Sequence, residues 1–336
     1  MIKKNILLVL FLTILVSCQS SSQTAEIFEP TSYPIIESTK NATVLPTFVE
    51  TIVTPIATPT VEKTIELVLT DTVMDVTETP IVDQNNDTQL EGPGYILIDH
   101  LAIDKFDSIT DEIIREASSI KVLFRGASVE ENIRYGLECM YGNFPGRRPN
   151  SCSAFYDQKF DSSNWVFQFR GNPGWIEKVD DFIRETEAQG AAYDVLMFTV
   201  GYIDGLDGTT FPEISKDENF QKLYIEKLEA LEAKYPDKIF VWWTMSLAQE
   251  GQINTTNFNE MLRLYAKENN KILVDLADFE SHDPNGVQCL DNNQLPVICK
   301  NYTDEKVSGH LNELGRERGA KLFWYMMARL IGWKES

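Results

Sequence analysis

From Asp194 to Val200 the chain runs Asp-Val-Leu-Met-Phe-Thr-Val almost without a polar break, and it stops at Gly201. A run this short and apolar fits a strand buried on both faces, which is the habit of a parallel sheet covered by helices. Runs of the same kind recur at Val122 to Phe124, Trp165 to Phe169, Ile239 to Trp243 and Lys271 to Leu276. Between them the apolar residues fall at helical spacing, as with Ile176, Val179, Phe182 and Ile183. Helices are expected from Ile109 to Ala117, after Ser128, from Trp175 to about Ala188, and from Phe220 to Tyr235. Two more are expected from Asn257 to Asn269 and from Glu313 to Leu330.

Strands that alternate with helices predict a parallel sheet with helices on both faces. The predicted fold is α/β: three-layer α/β/α and flavodoxin-like, with a mainly parallel five-stranded sheet. Gly94 to Asp104, with its apolar Tyr95-Ile96-Leu97-Ile98, reads as a lead-in outside those five strands. Residues 93–336 are enough for one domain with a large core. The net charge is −21 and no Lys/Arg cluster offers a phosphate track, so nucleic acid is not an expected partner. Of five cysteines, Cys139, Cys152, Cys289 and Cys299 lie in this block, and four allow three pairings. Proximity favours Cys139–Cys152 and Cys289–Cys299, each closing a short loop worth about 3 kcal/mol. Neither a Cys-x-x-Cys pair nor clustered histidines point to zinc, so no metal or cofactor is expected.

The first residues have the pattern of a targeting segment, with Lys3 and Lys4, then an apolar core from Ile6 to Val16. That core is too short for a bilayer span, which needs about 20 residues. Its ending, Leu15-Val16-Ser17-Cys18, resembles the lipobox of bacterial lipoproteins. The resemblance implies a signal peptide over 1–17 and lipidation at Cys18, with the mature chain anchored in a bacterial cell or outer membrane and its folded part outside the cytoplasm. An ordinary secretory signal is the other reading. Residues 18–92 are rich in Thr, Pro, Val and Ile. Lys40 and Lys63 stand against twelve acids there, so this stretch carries −10 of the −21. With repeated Pro and no helical period, it is expected to be a disordered, semi-extended stalk.

In a doubly wound sheet, binding and catalytic groups gather at the carboxyl ends of the strands, at the switch point of strand order. The chain places Gly126-Ala127-Ser128 after one such strand, Gly171-Asn172 after the next and Gly201-Tyr202-Ile203-Asp204 after the third. His310 stands just before the last helix. A serine on one turn, a glycine turn on the next and a late histidine supply a nucleophile, an oxyanion donor and a base.

These blocks, in this order, resemble those of the SGNH (GDSL-like) hydrolase superfamily over nearly the whole folded part. Phe124-Arg125-Gly126-Ala127-Ser128 looks like the first block, and Gly171 (or Gly174) like the second-block glycine. Tyr193-Asp194-Val195 through Gly201-Tyr202-Ile203-Asp204 looks like the third, and Gly309-His310-Leu311-Asn312-Glu313 like the last. The resemblance implies serine esterase or acylhydrolase chemistry on small esters or acylated glycans. Ser128 would be nucleophile and His310 base, with the amides of Ser128 and Gly171, and Asn172, around the oxyanion. The departures are Ala127 for an Asp, Ile203 for an oxyanion-hole Asn and Val307 for the Asp that orients the histidine. Asp304 is the nearest Asp that could substitute for the last, and Asp204 is a candidate support near Ser128.

Other readings stand beside these. Ser128-Val129-Glu130-Glu131 is a capping box, in which Ser128 would merely hold the Glu131 amide. His282 is a rival base or a plain loop histidine, and His310 could simply cap the last helix region. Trp242, Trp243, Phe323 and Trp324 read as core. A surface-displayed glycan- or polymer-binding module that has lost turnover is the alternative to an enzyme.

Overall fold

The computed structural model describes residues 94–142, 152, 156–206 and 213–334. The leader, Cys18 and the stalk therefore lie outside the described residues. The elements in order are β1 (Ile96–Ile98), α1 (Leu101–Asp104), α2 (Asp111–Ser119), β2 (Val122–Gly126), α3 (Ser128–Tyr141) and β3 (Trp165–Phe169). Then come α4 (Trp175–Gln189), β4 (Val195–Phe198), α5 (Asp217–Asn219), a π-helical turn over Phe220–Ile225 and α6 (Glu226–Lys234). The last elements are β5 (Ile239–Trp243), α7 (Ile253–Glu268), β6 (Ile272–Val274), α8 (Leu276–Ser281) and α9 (Glu313–Leu330).

The sheet is parallel throughout and its order is β1-β6-β5-β4-β2-β3. It is the expected α/β architecture with six strands rather than five. The added strand is β1, whose Ile96, Leu97 and Ile98 pair with Ile272, Leu273 and Val274. Three residues carry no readable period, and their partner lies far along the chain, so the sequence of this segment reads only as a lead-in. The fifth expected strand is also shorter than its apolar run. Asp275 caps α8 by accepting from the Asp278 amide, and the chain turns helical at Leu276.

The period-2 alternation of side chains builds a core on each face. Val122, Phe124, Val195, Met197 and Trp243 pack with α3 and α9, whereas Leu123, Leu196, Phe198 and Trp242 pack with α4, α6 and α7. The change of face follows from handedness. The chain steps one way from β2 to β3 and the other way from β3 to β4, and right-handed crossovers then put α3 and α4 on opposite sides. The crevice between the ends of β2 and β4 is the switch point. Both expected disulfides are formed, with Cα–Cα distances of 5.3 Å for Cys139–Cys152 and 5.4 Å for Cys289–Cys299. Among the described residues, no helix is long and apolar enough to cross a membrane.

Candidate active site

At the end of β2 the chain turns sharply. The helix α3 begins at Ser128 itself, with Ala127 in the capping position and its carbonyl taking the Glu131 amide at 3.0 Å. The cap is closed by Glu130, whose Oε2 accepts the Ala127 N–H at 2.5 Å. Glu130 folds back over Gly126, where an added Cβ would stand 2.5 Å from the Glu130 Cβ, so this strand end requires glycine. The capping-box reading of Ser128 is thereby corrected. Glu131 instead pairs with Arg134, and the Ser128 hydroxyl makes no hydrogen bond among the described residues. A serine not needed for the cap, at the positive end of a 14-residue helix, has its hydroxyl free for other work.

His310 sits in the loop that leads into α9. Its Nδ1 and Glu305 Oε1 are 2.8 Å apart, and Glu305 Oε2 accepts the His310 backbone N–H at 2.9 Å and the Ser308 hydroxyl. With Nδ1–H donating to Glu305, the assigned tautomer leaves Nε2 as the basic nitrogen. The acid that meets the ring is Glu305, not Asp304. Asp304 turns away and accepts from the Asn312 side chain at 3.2 Å, next to the cap of α9. Val307, at the expected spacing, is 68% exposed. Glutamate reaches the ring from five residues back because its extra methylene spans the Lys306–Gly309 bend, which a search for Asp at fixed spacing misses. Burial works to raise the Glu305 carboxyl, but the bonds from Ser308, the His310 amide and the His310 ring outweigh it and hold it below the usual glutamate value.

Three close contacts fix the serine's helix and the histidine's loop in place. Asn132, buried on α3, accepts the Leu311 N–H through Oδ1 at 2.8 Å. Gly136 lets α3 and α9 touch at the backbone, since a Cβ there would lie 2.1 Å from the Arg316 carbonyl oxygen. Gly309 does the same for the loop against Leu247, at 1.9 Å. As a result Ser128 and His310 line one cleft of about 100 Å³ with Asn172, Tyr202 and Ile203. The Tyr202 ring stands edge-on to His310, its centroid 6.1 Å away.

The oxyanion side differs in detail from expectation. The Ser128 N–H is in the first turn of α3, where no intrahelical partner exists. Asn172 reaches the cleft, while Gly171, in the left-handed region at φ 72°, shapes the turn and is not part of the lining. The Gly201 N–H, which also faces this region, is already taken by Asp204 Oδ2 at 2.9 Å. Asp204 thus caps its own turn and makes an ion pair with Lys178 at 2.5 Å. Its side-chain hydrogen bonds among the described residues go to Lys178 and the Gly201 N–H, and none goes to Ser128.

Behind the cleft lies a charged layer that sequence reasoning did not find. Lys178 is fully buried and the Asp204 side chain is 4% exposed. Arg170 donates to the carbonyls of Gly171 (3.0 Å) and Thr199 (2.5 Å), joining the ends of β3 and β4. Burial pushes the Asp204 and Glu130 carboxyls up and the Lys178 and Arg170 cations down, and the attraction between opposite charges recovers part of that cost. The available signal was Lys178 itself, in helical register with Trp175 and Phe182 on the buried stripe of α4. His282 is not at the cleft. It lies against Asp278 beyond β6, with Nδ1 2.8 Å from the Asp278 carbonyl oxygen.

No protein-family model matches this sequence, and no curated protein matches it either. Among solved structures, it is similar to an acetyl xylan esterase, AlAXEase, at 18% identity over 61% of this chain and 98% of that one, with a TM-score of 0.41. It is also similar to a protein from Bacteroides fragilis provisionally assigned as an acylhydrolase, at 15% identity over 62% and 86%, with a TM-score of 0.42. A third is an acetylxylan esterase from Geobacillus stearothermophilus, at 15% identity over 64% and 95%, with a TM-score of 0.32. The chemistry is decided by the side chains of the cleft.

Proposed function

We propose that the folded region is a serine ester hydrolase of the SGNH kind, with Ser128 as nucleophile, His310 as base and Glu305 as the acid that orients it. One observation carries the reading: a serine hydroxyl with no structural duty faces the same cleft as a histidine whose Nδ1 is held by a carboxylate. Ser128 Oγ attacks the ester carbonyl while its proton passes to His310 Nε2, and Glu305 stabilises the imidazolium. The oxyanion is held by the Ser128 N–H at the N-terminus of α3, with the Asn172 amide, which lines the same cleft, as a second donor. Collapse breaks the ester C–O bond, and the leaving alcohol takes the proton back from His310. Water gives a proton to the same ring and attacks the acyl carbonyl; the bond to Ser128 Oγ breaks, Oγ takes the proton back from His310, and the acid is released.

The cleft's volume of about 100 Å³ suits a short acyl group such as acetyl. With the lipobox-like Leu15-Val16-Ser17-Cys18, this supports a lipid-anchored enzyme outside the cytoplasm that removes acyl groups from glycans or cell-envelope polymers. The test is hydrolysis of short acyl esters by the parent protein, Ser128→Ala and His310→Ala. General-base loss is expected to cost about 10²–10⁴ in rate. Turnover unchanged in both variants overturns the site. A parent with no turnover that retains polysaccharide binding supports the binding-module reading, which is motivated by Ile203 in place of an amide donor.

A further inference from the structure

The carboxyl edge of the sheet bears a second group of chemistry-bearing side chains, at its β1–β6 end. His100 follows β1, Asp278 lies in α8 after β6, and His282 ends that helix. His100 and His282 are far apart in the chain, so no ligand spacing is visible in the sequence. The parallel pairing of β1 with β6 brings them together. Two of the chain's three histidines thus converge on one carboxylate. His100 Nδ1 is 2.5 Å from Asp278 Oδ2, which also accepts the His100 backbone N–H at 2.9 Å. His282 Nδ1 is 3.2 Å from Asp278 Oδ1. The side chains of His100, Asp278 and His282 are 20%, 21% and 16% exposed, so water reaches all three.

We propose that His100, Asp278 and His282 bind one divalent transition-metal ion, with zinc the ion best suited to the donor set. Two imidazoles and a carboxylate are a three-ligand set that leaves a fourth tetrahedral position to water. One donor atom from each residue lies within 4.8 Å of the others. Donors about 2.0–2.2 Å from a tetrahedral ion stand roughly 3.3–3.5 Å apart. The His282 Nδ1–Asp278 Oδ1 distance of 3.2 Å is already close to that, but His282 Nδ1–H now donates to the Asp278 carbonyl at 2.8 Å, a bond the ion has to displace, and the His100–Asp278 contact must widen by about an ångström. That contact is now a hydrogen bond between the ring and the carboxylate, and the ion takes the place of its hydrogen. The two rings are stacked, with centroids 3.9 Å apart and planes 12° apart. An ion has to lie in the plane of each ring that ligates it, so binding opens the stack. β5 stands between this site and the Ser128 cleft, and the ion would serve as a clamp from the edge strand β1 to α8.

The test uses the untagged full chain, stripped with EDTA and titrated with zinc chloride. Histidine-selective NMR follows the rings, and only three residues contribute signals. The expected result is saturation at one equivalent, with two of the three ring signals shifted and the third unmoved. At zinc a hundredfold above Kd the folded-to-unfolded ratio should rise about 100-fold, read as a higher Tm. Asp278→Asn and His282→Gln should each lose the zinc-dependent rise, and His310→Gln should keep it. Shifts confined to the His310 ring, or no shift at all, would overturn the proposal. So would variants that melt lower without zinc while zinc changes neither them nor the parent, which would leave the cluster as a hydrogen-bonded tie only.

Discussion

Glu305→Gln removes one negative charge beside His310 and leaves the side chain nearly the same size. In the 2.8 Å contact, the charge centres of an imidazolium and the carboxylate are about 4 Å apart. Their attraction is about 4 kcal/mol at an effective dielectric of about 20, and about 1 kcal/mol in bulk water. The His310 and Glu305 side chains are 36% and 37% exposed, so solvent screens the pair and the lower part of that range applies. Taking about 2 kcal/mol of imidazolium stabilisation, lost only when the ring takes the Ser128 proton, kcat should fall about 30-fold with KM little changed. The loss is smaller than for a fully buried triad acid because water substitutes in part for the carboxylate. Steady-state kinetics on a short acyl ester measure it, with Asp304→Asn as the companion variant. Asp304 faces Asn312 and not the ring, so that variant should keep kcat within about twofold. Normal turnover by Glu305→Gln together with a large loss in Asp304→Asn would refute the assignment.

Three further outcomes follow from the same contacts. Gly136→Ala drives a Cβ into the Arg316 carbonyl, which should cost about 1–3 kcal/mol in denaturant melts and lower kcat by moving α3 against α9; an unchanged melt would contradict this packing. Lys178→Met strands the Asp204 carboxylate without its partner and should destabilise by about 3–5 kcal/mol, with part of the loss restored by adding Asp204→Asn in a double-mutant cycle. Glu280 is fully buried, its carboxyl accepts the Leu247 N–H alone among the described residues, and burial raises that carboxyl well above 4.5. Its contribution to stability is therefore present below about pH 4.5 and lost as pH rises towards its folded value. Stability curves of the parent and Glu280→Gln should converge at acid pH and separate above it, with the variant the more stable; parallel curves would show that Glu280 does not hold its proton.

The parts legible in the sequence are those set by local pattern. Apolar runs and helical spacing located β2 to β6 and the flanking helices, and short loops located both disulfides. The turn at Ser128 and the loop at His310 were found because glycines and a rare histidine mark strand and helix ends. The parts not legible depend on chain segments meeting from a distance. The strand β1 is defined only by its partner β6. The Lys178–Asp204 pair joins α4 to the turn after β4, and neither residue type suggests burial. Glu305 was passed over because reach, rather than spacing, decides which acid meets a ring. At α3 the capping rule placed the cap one residue late and named the wrong pair. Gly126, lacking a side chain, lets Glu130 take the cap, and Ser128 is left exposed to the cleft.

The central claim is that Ser128 is an activated nucleophile. The most direct measurement is labelling of the full chain with a fluorophosphonate, followed by digestion and mass mapping of the adduct. A single adduct on Ser128, formed at least about 10²-fold more slowly in His310→Ala, is the predicted result. No adduct, or one that forms equally fast without His310, would contradict it.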